Sequence, residues 1–139
     1  AFLREVSTLS LATVDASGRP HAANLYFAPD DQLNLYFVSD PGTAHGQHIA
    51  ERPAVAATAY APVVMWQQIK GAQLHGDCRI IDDHDWATTW ATYRRKFPHV
   101  EAIEQLVRSQ RFYRITPNWF RWIDNTVHFG HKIESDWPA

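Results

Sequence analysis

Apolar and polar positions alternate over the first third of the chain, and a period of two predicts strands there. Leu9–Val14 is the first. It follows a short stretch, Ala1–Thr8, whose Phe2, Leu3 and Val6 suit the tail of a helix. Asp15–Gly18 carries turn chemistry: Asp and Ser bond the local backbone, and Gly takes a positive φ cheaply. His21–Ala28 comes next, with His21, Ala23, Leu25 and Phe27 on one face and Ala22, Asn24 and Tyr26 on the other. Pro29–Asp31 turns the chain into a third strand, Leu33–Ser39, so these three read as an antiparallel meander. Asp40-Pro41-Gly42 then breaks the pattern. Asp40 or Thr43 is placed to cap a short helix, Thr43–Glu51, that stops before Pro53.

Ala54–Ala61 is a run of small apolar residues that predicts a strand buried on both faces. Gln67–Asp82 predicts a long strand with Ala72, Leu74, Cys78 and Ile80 on one face. Gly71 and Gly76 inside it mark bends or a close backbone approach. Trp86, Trp90, Tyr93 and Phe97 recur at helical spacing behind a cap at Asp82 or Asp83, with Arg94, Arg95 and Lys96 in the last turn. Pro98 stops that helix, and Val100, Ile103, Leu106 and Val107 mark another. Arg111–Asp124 returns to strand, interrupted near Pro117, and the remaining residues read as irregular. The order β-β-β-α-β-β-α-α-β predicts a mainly β fold class. It is a small, partly open antiparallel barrel with flanking helical pieces, in a single domain spanning 1–139.

Composition narrows the function classes. At 139 residues, 45% hydrophobic, with a net charge of −2, the chain lacks the basic surface a nucleic-acid binder depends on. No window of about 18 apolar residues suggests a membrane span. One cysteine, Cys78, builds neither a disulfide framework nor a thiolate zinc site. No signal peptide is visible, so a cytoplasmic location is expected; the chain begins at Ala1, and residues before it are expected to be missing.

No GxSxG elbow, Walker loop or HExxH occurs, and no Gly-rich turn follows a strand into a helix, so catalysis by side chains alone is not expected. Redox chemistry would come from a bound cofactor. Thr43 and His45 stand where a helix N-terminus offers free amides to a phosphate, or where an ordinary cap sits. Two HxxH pairs, His45 with His48 and His128 with His131, lack a third ligand of fixed spacing, so no metal site is expected. An axial haem ligand at His128 or His131 stays open. Asn24, Tyr26, Ser39 and Lys70 are polar residues in or beside apolar strands, facing either a ligand or solvent. Trp119, Trp122 and Phe129 either stack on a planar ligand, form a dimer interface or pack in the core.

Taken in order, several runs resemble one family. Gly18-Arg19-Pro20-His21-Ala22-Ala23-Asn24-Leu25-Tyr26-Phe27 is similar to its second strand. Leu35–His45, followed by Pro53-Ala54-Val55-Ala56, is similar to its third strand, helix and fourth strand. Ile69–Gly76 is similar to its fifth. The family is the pyridoxamine 5′-phosphate oxidase-like split β-barrel family of FMN-binding proteins. Arg94–Pro98 and Ile123–Lys132 resemble its YhbP-type branch. The resemblance implies a homodimer with FMN at the interface and an oxidoreductase acting on a small molecule. Carried over by position, Asn24, Leu25 and Tyr26 line the isoalloxazine edge, Val38 and Ser39 border the ribityl chain, and Thr43 and His45 meet the phosphate. Lys70 and Gly71 approach from the fifth strand, while Trp119, Trp122, Phe129 and Lys132 close the site. Ala44 and His45 stand where members commonly carry Arg or Lys. One charge-assisted bond lost there is worth roughly 1.5–3 kcal/mol. The Arg-rich C-terminal motif of the true oxidases is missing, so pyridoxamine 5′-phosphate is not the implied substrate. Haem, or the deazaflavin F420, are the alternative cofactors.

Overall fold

The computed structural model describes residues 1–138. A short helix, α1 (Phe2–Glu5), leads into β1 (Thr8–Val14), β2 (Pro20–Tyr26), β3 (Ala28–Pro29) and β4 (Leu35–Ser39). Helix α2 (Ala44–Glu51) precedes β5 (Ala54–Tyr60) and β6 (Lys70–Ile80). Helices α3 (Trp86–Lys96) and α4 (Glu104–Arg108) precede β7 (Arg111–Asp124) and β8 (Lys132–Asp136). The strands form one antiparallel sheet in the order β2-β1-β5-β6-β7-β4-β3, and β8 adds to the second half of β7. Its two edge strands, β2 and β3, are separated in sequence by Phe27 alone. A sheet whose opposite edges are joined by one residue must curl on itself, which makes a split antiparallel barrel with flanking helices.

The interior follows strand parity. Leu9 and Leu11 of β1, Leu35 and Phe37 of β4, Ala57 and Ala59 of β5, Ala72, Leu74 and Cys78 of β6, and Tyr113 and Ile115 of β7 form one buried cluster. Phe37 and Tyr113 stack in parallel at 5.0 Å at its centre. A second cluster lies outside the barrel wall, where Trp90 and Tyr93 of α3, Phe97 just beyond its end, Val100 and Val107 cover Ala28, Tyr36 and Phe112. The helical spacing of the aromatic stripe in α3 therefore served packing.

Several expectations change. β1 and β2 pair over seven residues, but β4 reaches β2 only through Ala28 and Pro29 and otherwise pairs β7, so the meander is broken. The buried side chain of Phe27 turns into the core at the bend. β5 is buried on one face only, because α2 lies at the barrel end and leaves its outer face bare. Ile80 is exposed, beyond the end of the core face it was assigned to. The residues 98–108 make a 3₁₀ turn and a five-residue helix, with Ile103 and Leu106 exposed. β7 runs unbroken through Pro117, and a register shift between His75 and Gly76 absorbs the irregularity. The C-terminal stretch is ordered as β8. Its outward polar residues hid a strand whose partners are all in β7.

Helix α2 starts as expected, with the Thr43 hydroxyl accepting from the Gly46 amide at 3.1 Å. Among the described residues the cap expected at Asp82 or Asp83 makes no side-chain bond. Lys96, in the last turn of α3, ties down the N-terminal segment. Its Nζ donates to the carbonyls of Leu3 (2.9 Å) and Val6 (2.6 Å) and sits 3.8 Å from the Phe27 ring centroid. Burial lowers this ammonium from the ordinary 10.5 to about 8. The folded state thus binds the proton less tightly than the unfolded chain. The group's contribution to stability is complete above the ordinary lysine range and is lost as pH falls through about 8. Thermal melts of wild type and Lys96→Met should therefore differ more in favour of wild type near about pH 10 than near about pH 7. A difference that does not change with pH would contradict this linkage.

Candidate ligand-binding face

One half of the barrel's outer wall lies under α3 and α4; the other half, formed by β2, β1, β5, β6 and the second half of β7, is uncovered. Register places a continuous polar row across it: Asn24, Ser10, Thr58, Gln73, Arg121 and Glu134 stand opposite one another on successive strands. The Ser10 hydroxyl donates to Asn24 Oδ1 at 2.6 Å, and Arg121 donates to Gln73 Oε1 (3.2 Å) and Glu134 Oε1 (2.7 Å). A neighbouring row is small at one end, with Ala22, Ala12 and Ala56, and aromatic at the other, where His75 stacks on Trp119 at 4.5 Å.

Two clefts of about 490 and 330 Å³ open on this face and share Thr58, Tyr60 and Ala61. The larger is walled by Glu5–Ser10 and Asn24; the smaller by Val63, Ile69, Lys70, Gly71 and Gln73. Beside them the segment before β6 exposes Val64 (97%), Met65 and Trp66. Phe129 meets Trp66 edge-on at 5.5 Å.

Of the residues singled out in the sequence, Asn24, Lys70 and Gly71 line these clefts, and Tyr26 shares the outer face of β2 with Asn24. The others scatter. Leu25 packs against the barrel interior, because β2 alternates its faces. Val38 faces the α3 cluster while Ser39 faces inward, so the two lie on opposite sides of β4. Trp119 lies outside on the His75 ring, whereas Trp122 packs edge-on against Phe2 at 4.8 Å. Phe129 sits in the turn before β8, and Lys132, exposed, pairs with Ile123. At the start of α2, Thr43 Oγ1 is occupied as the cap, and His45 Nε2 lies 2.7 Å from Ser39 Oγ. Burial, and secondarily His48, lower the His45 imidazole below its ordinary value, which favours its neutral form. Asp40 Oδ1 accepts from the Gly42 amide at 2.8 Å, so a carboxylate already stands beside this helix end.

Residues 1–124 match the family described as pyridoxamine 5′-phosphate oxidase. The chain belongs to that family. A UPF0306 protein of Klebsiella pneumoniae is 30% identical over 112 residues, which is 80% of this chain and 73% of that protein. The UPF0306 protein YhbP of Escherichia coli O157:H7 is 26% identical over 121 residues, 86% of this chain and 79% of that protein. These relatives place the chain in the YhbP-type branch. Among solved structures, the heme storage protein HutZ of Vibrio cholerae superposes with a TM-score of 0.71 at 20% identity over 84% of each chain. That likeness concerns the split-barrel fold.

The side chains on this face are hydrogen-bond donors and acceptors: Asn24, Ser10, Thr58, Gln73, Arg121 and Glu134. The one thiol, Cys78, is buried in the barrel and pushed up to about 12, so it is no nucleophile. Among the described residues no helix is long and apolar enough to cross a membrane. Ser10, Thr58, Tyr60 and Gln73 were not singled out in the sequence. Period-two alternation in β1 and β5 puts Ser10 and Thr58 on the polar face, but only cross-strand register joins them to Asn24.

Proposed function

We propose that the protein binds FMN on this face as a homodimer and acts as a flavin-dependent oxidoreductase on a small molecule other than pyridoxamine 5′-phosphate. The polar row Asn24–Ser10–Thr58–Gln73, flooring two adjoining clefts, carries the reading. A flavin's pyrimidine edge alternates acceptors and donors, and hydroxyl and carboxamide side chains can answer both. Family membership supports the choice of cofactor. When bound, FMN supplies hydride transfer. The chain supplies the hydrogen-bonding floor and the walls that exclude water.

The clefts are open, and large apolar side chains at Val63, Val64, Met65 and Trp66 stand exposed beside them. A second copy laid on this face would cover both. Sedimentation of the purified protein tests that part, and a monomer at micromolar concentration would overturn it.

The phosphate has a weak anchor. At the start of α2 the Ala44 and His45 amides find no capping partner among the described residues, while Thr43 Oγ1 and His45 Nε2 are engaged and the Asp40 side chain accepts from the Gly42 amide. FMN and riboflavin are therefore expected to bind within about tenfold of each other, since no full charge-assisted bond separates them. Quenching of flavin fluorescence measures both. Ser10→Ala should weaken each by about fivefold, the worth of one neutral hydrogen bond. Failure of either flavin to bind would overturn the proposal. A Soret band on haem addition, or a preference for F420 over FMN, would replace it with the corresponding alternative.

A further inference from the structure

The two HxxH pairs look alike in sequence and differ in the folded chain. His45 and His48 part company: His45 Nε2 goes to Ser39, and His48 Nδ1 lies 2.9 Å from Thr13 Oγ1. His128 and His131 converge. His128 Nε2 and His131 Nδ1 are 3.2 Å apart, with the rings nearly perpendicular at 77°. We propose that this turn is a two-imidazole chelate for a divalent transition cation of the zinc type.

The donor geometry carries the argument. Two imidazole nitrogens bound to one zinc ion at about 2.0–2.1 Å with a near-tetrahedral angle lie about 3.2–3.4 Å apart. The spacing in the turn matches, and a tilt of the rings aims both lone pairs at one ion. The tautomer of one ligand is also preset. His128 Nδ1 contacts the Phe129 carbonyl at 3.2 Å, and a carbonyl can only accept, so that nitrogen carries the proton and Nε2 presents its lone pair. An outer carbonyl orienting a ligand histidine in this way is a recurrent feature of metal sites. In the metal-free chain His131 Nδ1–H donates to His128 Nε2. The ion takes the place of that proton, which moves to His131 Nε2.

The turn is held rigid from several sides. The His131 amide donates to the His128 carbonyl (3.1 Å), and the Asp124 amide donates to the His131 carbonyl (3.0 Å). The Gly130 amide donates to Asn125 Oδ1 (2.9 Å), with Gly130 at φ +74°. Asn125 Nδ2 in turn donates to the Trp66 carbonyl at 2.9 Å. Little ordering remains to oppose binding. Among the described residues no third histidine, cysteine or carboxylate completes the pair, so the remaining coordination positions fall to water or to an exchangeable ligand. Asn125 also donates from its amide to the Ile69 carbonyl, and Ile69 lines the smaller cleft. The ion would therefore stand at the rim of the ligand-binding face.

The test is calorimetric titration of untagged, flavin-free protein with Zn²⁺, so it does not depend on the flavin reading. One ion per chain is expected. His128→Gln and His131→Gln should each weaken binding by more than the roughly 10–100-fold that loss of an outer partner costs. His48→Gln and His84→Gln should leave it unchanged; His84 lies in the other possible ligand cluster, with Asp82 and Asp85. Cobalt(II) absorbance gives a second readout, a tetrahedral spectrum in wild type that both turn variants lose. No Zn²⁺ binding, equal binding by the His128→Gln/His131→Gln double variant, or loss in His84→Gln alone would overturn the assignment.

Discussion

Thr58→Trp is expected to abolish flavin retention while leaving the fold intact. Thr58 is the residue at the centre of the polar row, and it lines both clefts. Its side chain points away from the barrel core, since Val55, Ala57 and Ala59 take the buried positions of β5. An indole there fills the space between Ser10 and Gln73 and blocks their bonds to a planar ligand. The expected loss is at least about a hundredfold in FMN affinity, or ~2.8 kcal/mol. An exposed position away from caps and strained backbone should shift stability by no more than about 0.5 kcal/mol, so the melting temperature should hold. FMN quenching by the variant at wild-type affinity would place the flavin elsewhere and end the proposed site.

The second large effect is on stability. Gly76→Ala should cost about 3 kcal/mol and lower Tm by roughly 10 °C, at the upper end of what overpacking does. Gly76 stands at the register shift of β6, opposite Pro117. A Cβ there would press into the Thr116 carbonyl oxygen and come within 2.9 Å of Pro117 Cα. Both obstacles are backbone of the neighbouring strand, so no side-chain rotation relieves them. Only separation of β6 from β7 would, and those two strands run side by side from Lys70 to Ile80. Gly18→Ala is the control: Gly18 needs a positive φ (+86°), yet among the described residues nothing lies within 4 Å of an added Cβ. Its cost should be the left-handed backbone preference alone, about 1–2 kcal/mol. Equal melting temperatures for the two variants would show that the close approach at Gly76 is not a constraint.

The candidate site was legible in parts. Asn24 and Lys70 were singled out as polar residues in or beside apolar strands, and Gly71 through the family resemblance of Ile69–Gly76. The family resemblance put Val38 with Ser39, and Trp119 with Trp122, on one side of the site, and the sheet separates each pair. Adjacent strand residues face opposite ways, as do residues three apart, so such a group is divided by the wall it belongs to. The charge at the start of α2 was also readable only in part. Thr43 is a cap by composition, but the contact between His45 and Ser39 depends on how α2 lies against the end of β4.

Within single elements the chain's own pattern was decisive. Alternation marked β1, β2 and β6, the aromatic stripe marked α3, and Thr43 marked the start of α2, because side-chain periodicity and capping are local properties of consecutive residues. What lies between elements required the folded molecule. The broken meander, the strand β8, the row from Asn24 to Glu134 and the meeting of His128 with His131 all depend on register and on turn geometry. Those are fixed by which distant segments pair and bury their faces together, and no short window of sequence holds that information.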